Sequence, residues 1–142
     1  MNARQAALIV AMLAATGAAQ AADPVYLTLD HSTDGLIDKA GADAIWAESL
    51  AGKTAKLNKL YPVKKWGFVS QVEGGFTQSK ACVVTARVMM MPVTMGKSLL
   101  FKPSKTATAF DTLPGATREQ CQDAAKAKLK ESIQAVLSSL SN

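Results

Sequence analysis

Met89, Met90, Met91 and Met95 place four thioethers within seven residues, in the stretch RVMMMPVTMGK. Thioether sulfur is soft and favours Cu(I), so clustered methionines in an exported chain can form a copper site. On an extended backbone Met89 and Met91 share one face. Met95, beyond Pro92, supplies a third sulfur if the chain curls back, and His31 adds a nitrogen only if the fold brings it there. Methionine also fills irregular core gaps and adapts to partner surfaces, and core packing is the simpler reading. The copper reading names Met89, Met91 and Met95 as ligands; nothing else in the sequence calls for a cofactor.

Lys53, Lys56, Lys59, Lys64 and Lys65, with Tyr61 and Trp66 among them, form the second candidate site. Lysine stems beside aromatic rings suit phosphate headgroups or polyanionic sugars. The plainer alternative is a solvated helix face. Asp30-His31-Ser32 holds the letters of a hydrolase triad, but adjacent positions do not supply triad geometry. No G-x-S-x-G elbow accompanies any serine, and His31 is the sole histidine. Asp30, Asp34, Glu48 and Glu73 are available as carboxylates, yet no local pattern selects a catalytic pair. Gly74-Gly75 lacks the spacing and following lysine of a phosphate-binding loop and reads as a turn.

Cys82 and Cys121 are the only thiols, 39 positions apart. A redox exchanger would offer C-x-x-C at a helix start, so a structural disulfide is the expectation. Closing such a loop stabilises a fold by roughly 4 kcal/mol in the chain-entropy view.

These candidates sit behind a leader. Arg4, an apolar run from residue 6 to 15 and small residues ending in Ala19-Gln20-Ala21 read as a secretory signal peptide over residues 1–21. The remaining residues 22–142 fit one domain, with no transmembrane segment expected in the mature chain and a periplasmic or secreted location. Charge is segregated along it. Between residues 22 and 48 six acids face only Lys39, whereas between 49 and 110 Glu73 alone faces nine lysines and Arg87. A basic middle attracts anionic partners; the blander expectation is that the acidic segment lies against it and neutralises it. Export argues against a nucleic-acid partner.

Several elements must position these groups. Residues 25–29 are β-rich and read as a first strand. Trp46, Leu50, Leu57 and Tyr61 recur at helical spacing, predicting one helix over 42–60 that Pro62 ends. A hairpin follows, with strands over 66–72 and from Ala81. In the second, Cys82, Val84, Ala86, Val88 and Met90 form the cleaner core face. A third strand falls within 98–110, interrupted near Pro103. Thr117-Arg118-Glu119-Gln120 fits a capping box, opening a helix whose apolar stripe is Ala125, Leu129, Ile133, Val136, Leu137 and Leu140. The order β-α-β-β-β-α, or α-β-β-β-α if the first strand fails, predicts an α+β two-layer sandwich: an antiparallel sheet of three to four strands with two helices on one face.

A leader, one α+β domain and the Cys82/Cys121 pair together resemble the small exported proteins of Gram-negative bacteria. That resemblance implies a location, and no site residue follows from it. The leading functional reading is a non-enzymatic binding protein that engages an envelope protein or anionic envelope component through the 53–66 region or the 89–95 edge. Copper binding comes second, and a small hydrolase using His31 third.

Overall fold

The computed structural model describes residues 21–141. The expected leader therefore falls almost wholly outside the described residues. Four strands form one sheet in the order β1-β2-β3-β4: β1 Thr28–Asp30, β2 Trp66–Phe76, β3 Ala81–Pro92 and β4 Lys105–Pro114. Three helices, α1 Lys39–Leu50, α2 Thr54–Leu60 and α3 Arg118–Ser139, complete the described residues. The layout is the expected α+β arrangement, with the helical layer on one side of the sheet.

Cys82, Val84, Ala86, Val88 and Met90 alternate along β3 and are all fully buried. They meet Cys121, Ala125, Leu129, Ile133 and Val136 of α3, which recur at three- and four-residue spacing. Each large side chain buried this way contributes roughly 1.5–3 kcal/mol, so the β3–α3 contact is a major apolar contribution to the fold. α3 starts where Thr117 accepts from Gln120 N and the Gln120 side chain accepts from Thr117 N, the capping box read from the sequence. Cys82 and Cys121 are disulfide-bonded with Cα atoms 5.7 Å apart, joining the start of β3 to the first turn of α3. Such a bond persists in oxidising compartments, which fits an exported or envelope protein.

Several local expectations are corrected. Gly74 and Gly75, read as a turn, lie inside β2, and the strand expected within 98–110 runs over Lys105–Pro114. The predicted helix over 42–60 is two helices. Gly52 takes φ +70°, a left-handed conformation that ends α1 after the Ala51 cap. α2 then restarts at Thr54 and carries Leu57 into the core. The sheet is mixed, with its antiparallel part confined to β2, β3 and β4. β1 runs parallel to β2, pairing Thr28 with Phe68 and Asp30 with Ser70. The cause is the connection: α1 and α2 carry the chain back along the sheet, so it re-enters in its original direction.

A polar chain fixes that parallel edge. The Trp46 indole N–H of α1 donates to Ser70 Oγ at 3.0 Å, and Ser70 Oγ donates to Asp30 Oδ1 at 2.6 Å. Ser32 Oγ donates to the same carboxylate oxygen at 2.7 Å and accepts from Val72 N at 2.9 Å. Ser70 is wholly buried, so its hydroxyl is satisfied only through these partners.

Two stability outcomes follow. Replacing both cysteines with serine, or reducing the native bond, should lower unfolding free energy by about 2–4 kcal/mol in urea titrations, with the same strands and helices at low denaturant. Ser70→Ala leaves the buried indole N–H unpaired and should cost about 1–3 kcal/mol, with hydrogen exchange rising first at residues 28–32.

Candidate functional site

The basic stretch and the methionine edge, far apart in sequence, meet beside the first strand. In the α2–β2 connection, Lys65 N and Trp66 N both donate to Pro62 O, at 2.8 and 3.0 Å. Asn58 Oδ1 accepts from Val63 N at 2.9 Å, holding this turn against α2. Beyond β3 the chain continues as a small hairpin: Val93 bridges Leu99, Thr94 N donates to Ser98 O, and Lys97 N donates to Thr94 O. Lys97 takes φ +59° at this turn. Val93 N donates to Lys65 O at 2.8 Å, tying the hairpin to the basic turn.

Gly67 permits this approach. A Cβ there would stand 2.7 Å from both Leu27 O and Leu99 Cδ2, so only glycine lets the segment before β1 and the hairpin close on β2 together. Tyr26 anchors the third wall, its phenol donating to Tyr61 O at 2.6 Å from a buried position. Burial pushes the Tyr26 phenol up to about 12.

The three walls enclose an open cleft of about 790 Å³, lined by residues 25–28, by Val63 and Lys64, and by Val93, Thr94, Met95 and Lys97. Its sides are mainly apolar, its charged lining residues are the two lysines, and no carboxylate lines it. Among the described residues no lysine from 53 to 105 lies within ion-pairing distance of an acid; the pairs are Lys39–Asp43, Lys128–Asp111, Lys128–Glu131 and Lys130–Glu48. The acidic N-terminal segment therefore does not neutralise the basic middle through contacts. Glu48, the one acid of that segment paired outside it, faces Lys130 of α3 instead.

The remaining sequence candidates are dispersed. Lys53 and Lys56 border a smaller groove of about 240 Å³ with Leu60, Leu137 and Leu140, and Lys59 is exposed on α2. Tyr61 and Trp66 meet edge to face, ring centroids 6.3 Å apart, and both pack partly on the core, so neither ring lies open as a stacking platform. Met89 and Met91 are buried with Val69 and Leu99 on the sheet face away from the helices, while Met90 joins the main core. Met95 is fully exposed and does not pack on that pair. His31 is exposed, and Ser32 donates directly to Asp30 without an imidazole between them. That Asp-Ser pairing holds the β1 edge. Among the described residues no group of three or more His, Cys, Asp or Glu side chains is placed to hold a metal.

Sequence reasoning missed Tyr26, Leu27, Gly67 and Lys97. Gly67 carried the available signal, a glycine among the bulky residues Trp66, Phe68 and Val69 at the start of β2, which marks close backbone approach.

No protein-family model matches the chain, and no curated protein matches it. Among solved structures, it is similar to a variant PelC dodecamer from Paraburkholderia phytofirmans, at 14% identity over 82% of this chain and 90% of that one, with a TM-score of 0.48. It is also similar to a minor lipoprotein from Acinetobacter baumannii, at 12% identity over 83% and 92% of the two chains, with a TM-score of 0.43. Likeness of this degree lends this chain neither an activity nor a site residue.

The cleft wall has a pH signature. Because the native phenol of Tyr26 holds its proton above the ordinary value of 10.0, the stability it supports is intact below that value. It is lost as pH rises towards about 12. Urea midpoints measured between neutral and alkaline pH should therefore fall more steeply for the native protein than for Tyr26→Phe, which has no phenol to ionise.

Proposed function

We propose that this is an exported, non-enzymatic binding protein whose ligand is an anionic amphiphile of the cell envelope, held in the cleft beside β1. The observation that carries this reading is the pairing of Lys64 with Lys97 on a mainly apolar cleft that contains no carboxylate. Apolar walls take a hydrocarbon chain, and two cations at separate points of the lining fix an acidic head. The volume lies in the range of small-molecule sites, roughly 300–1,000 Å³. Lysine stems are long and flexible, so the site accommodates carboxylate, sulfate or phosphate heads without demanding one fixed geometry.

The chemistry of the walls favours binding over turnover. Neither threonine in the lining has a histidine or carboxylate beside it there to act as a base. Met95 adds an adaptable apolar rim, which suits a ligand of variable chain length.

A fluorescent acyl carboxylate, such as dansyl-undecanoate, tests the reading. The native protein should bind it saturably at one site. The double variant Lys64→Glu/Lys97→Glu should weaken binding by about tenfold or more, equivalent to ~1.4 kcal/mol, with unchanged thermal stability. Lys53→Glu/Lys56→Glu, on the other groove, should leave it unaltered. Equal loss in both double variants would make the effect one of net charge and sink the assignment to the cleft.

A further inference from the structure

The connection from β3 to β4, residues 93–104, carries a second property that the cleft does not use. Leu100 is half exposed and Phe101 is 77% exposed, at adjacent positions on a loop otherwise held tightly to the body of the protein. Leu100 N donates to Pro92 O, Lys102 N to Leu100 O and Ser104 N to Met90 O. These apolar tips are therefore displayed by a fixed backbone. Met95, fully exposed, caps the small hairpin at the start of the same connection.

Charge along this stretch of chain has one sign. From Gly74 to Phe110 the chain contains no aspartate or glutamate, while Lys97, Lys102 and Lys105 flank the apolar residues. The hydrogen bond from Val93 N to Lys65 O brings the basic turn alongside. All four of these lysines are exposed and without an acidic partner among the described residues. An exposed aromatic and an exposed aliphatic side chain flanked along the chain by exposed lysines match a lipid interface: the apolar tips sit at the headgroup–acyl boundary and the ammonium groups meet lipid phosphates.

We infer that the 93–104 loop docks the protein on the surface of an anionic bilayer, with Leu100 and Phe101 as the inserted residues and Lys97, Lys102 and Lys105 as headgroup contacts. Met95 and Lys97 belong both to this loop and to the cleft lining. Docking therefore brings the cleft to the bilayer, which becomes the source of its amphiphile. This last step rests on the function proposed above, whereas the docking itself does not.

Vesicle flotation separates the two. The oxidised protein should float with vesicles of phosphatidylethanolamine and phosphatidylglycerol, and not with phosphatidylcholine alone. Leu100→Ser/Phe101→Ser and, separately, Lys102→Glu/Lys105→Glu should each reduce the bound fraction by about tenfold at moderate salt. Both pairs are solvent-exposed, and retained binding of the free acyl carboxylate certifies that each variant is folded. Failure of the native protein to float, or flotation of both variants at the native level, overturns the docking while leaving the cleft assignment standing if the free carboxylate still binds. Self-association in sedimentation velocity that disappears in Leu100→Ser/Phe101→Ser would also overturn it, by giving the surface to a second copy of this chain.

Discussion

Everything else in this protein is arranged around the covered face of β3. Its five alternating side chains from Cys82 to Met90 are excluded from water, and α3 is the element that excludes it. With that face sealed, the disulfide at one end fixes where α3 begins, and β2 and β4 can extend the sheet on either side. The sealing also leaves the opposite face free to be treated differently. Near the end of β3 that face holds a small second cluster of Val69, Met89 and Met91, closed by Leu99 from the following hairpin. Met89 and Met91 are thus the floor on which the hairpin rests, and the hairpin is one wall of the cleft.

A polar device fixes the strand that follows a second wall. β1 is only three residues long, too short to be held by its ladder alone. The Trp46–Ser70–Asp30–Ser32 chain compensates by linking helix, strand and loop through a buried hydroxyl. Asp30 and Ser32, which in sequence suggest catalysis, therefore stabilise the strand that leads out of the site. Tyr26, just before β1, then ties the same segment to Tyr61. The cleft is defined by three anchored segments and a glycine that lets them meet.

What could be read from the sequence follows the range of the interactions involved. The capping box at Thr117, the stripe of α3 and the core face of β3 depend on residues a few positions apart, and their periodicity is explicit. The break at Gly52 was hidden because Trp46, Leu50 and Leu57 remain in helical register across it. The parallel pairing of β1 depends on the direction in which two helices return the chain, which no local pattern records. The site was the least legible part. Lys64 and Met95 were each singled out, but their meeting requires the close approach at Gly67 and the backbone bond from Val93 to Lys65. Lys97, isolated in sequence, gains significance only from the turn that sets it on the same cleft.

The most direct measurement of the central claim is a backbone amide shift map by NMR, titrating the oxidised protein with decanoate and, in parallel, with uncharged decanol. Decanoate shifts should concentrate at residues 25–28, 63–64 and 93–97 and saturate together, with decanol producing the same pattern far more weakly. Shifts that gather instead around Lys53, Lys56 and Leu140, or that decanol reproduces at equal strength, would contradict an anion-selective site beside β1.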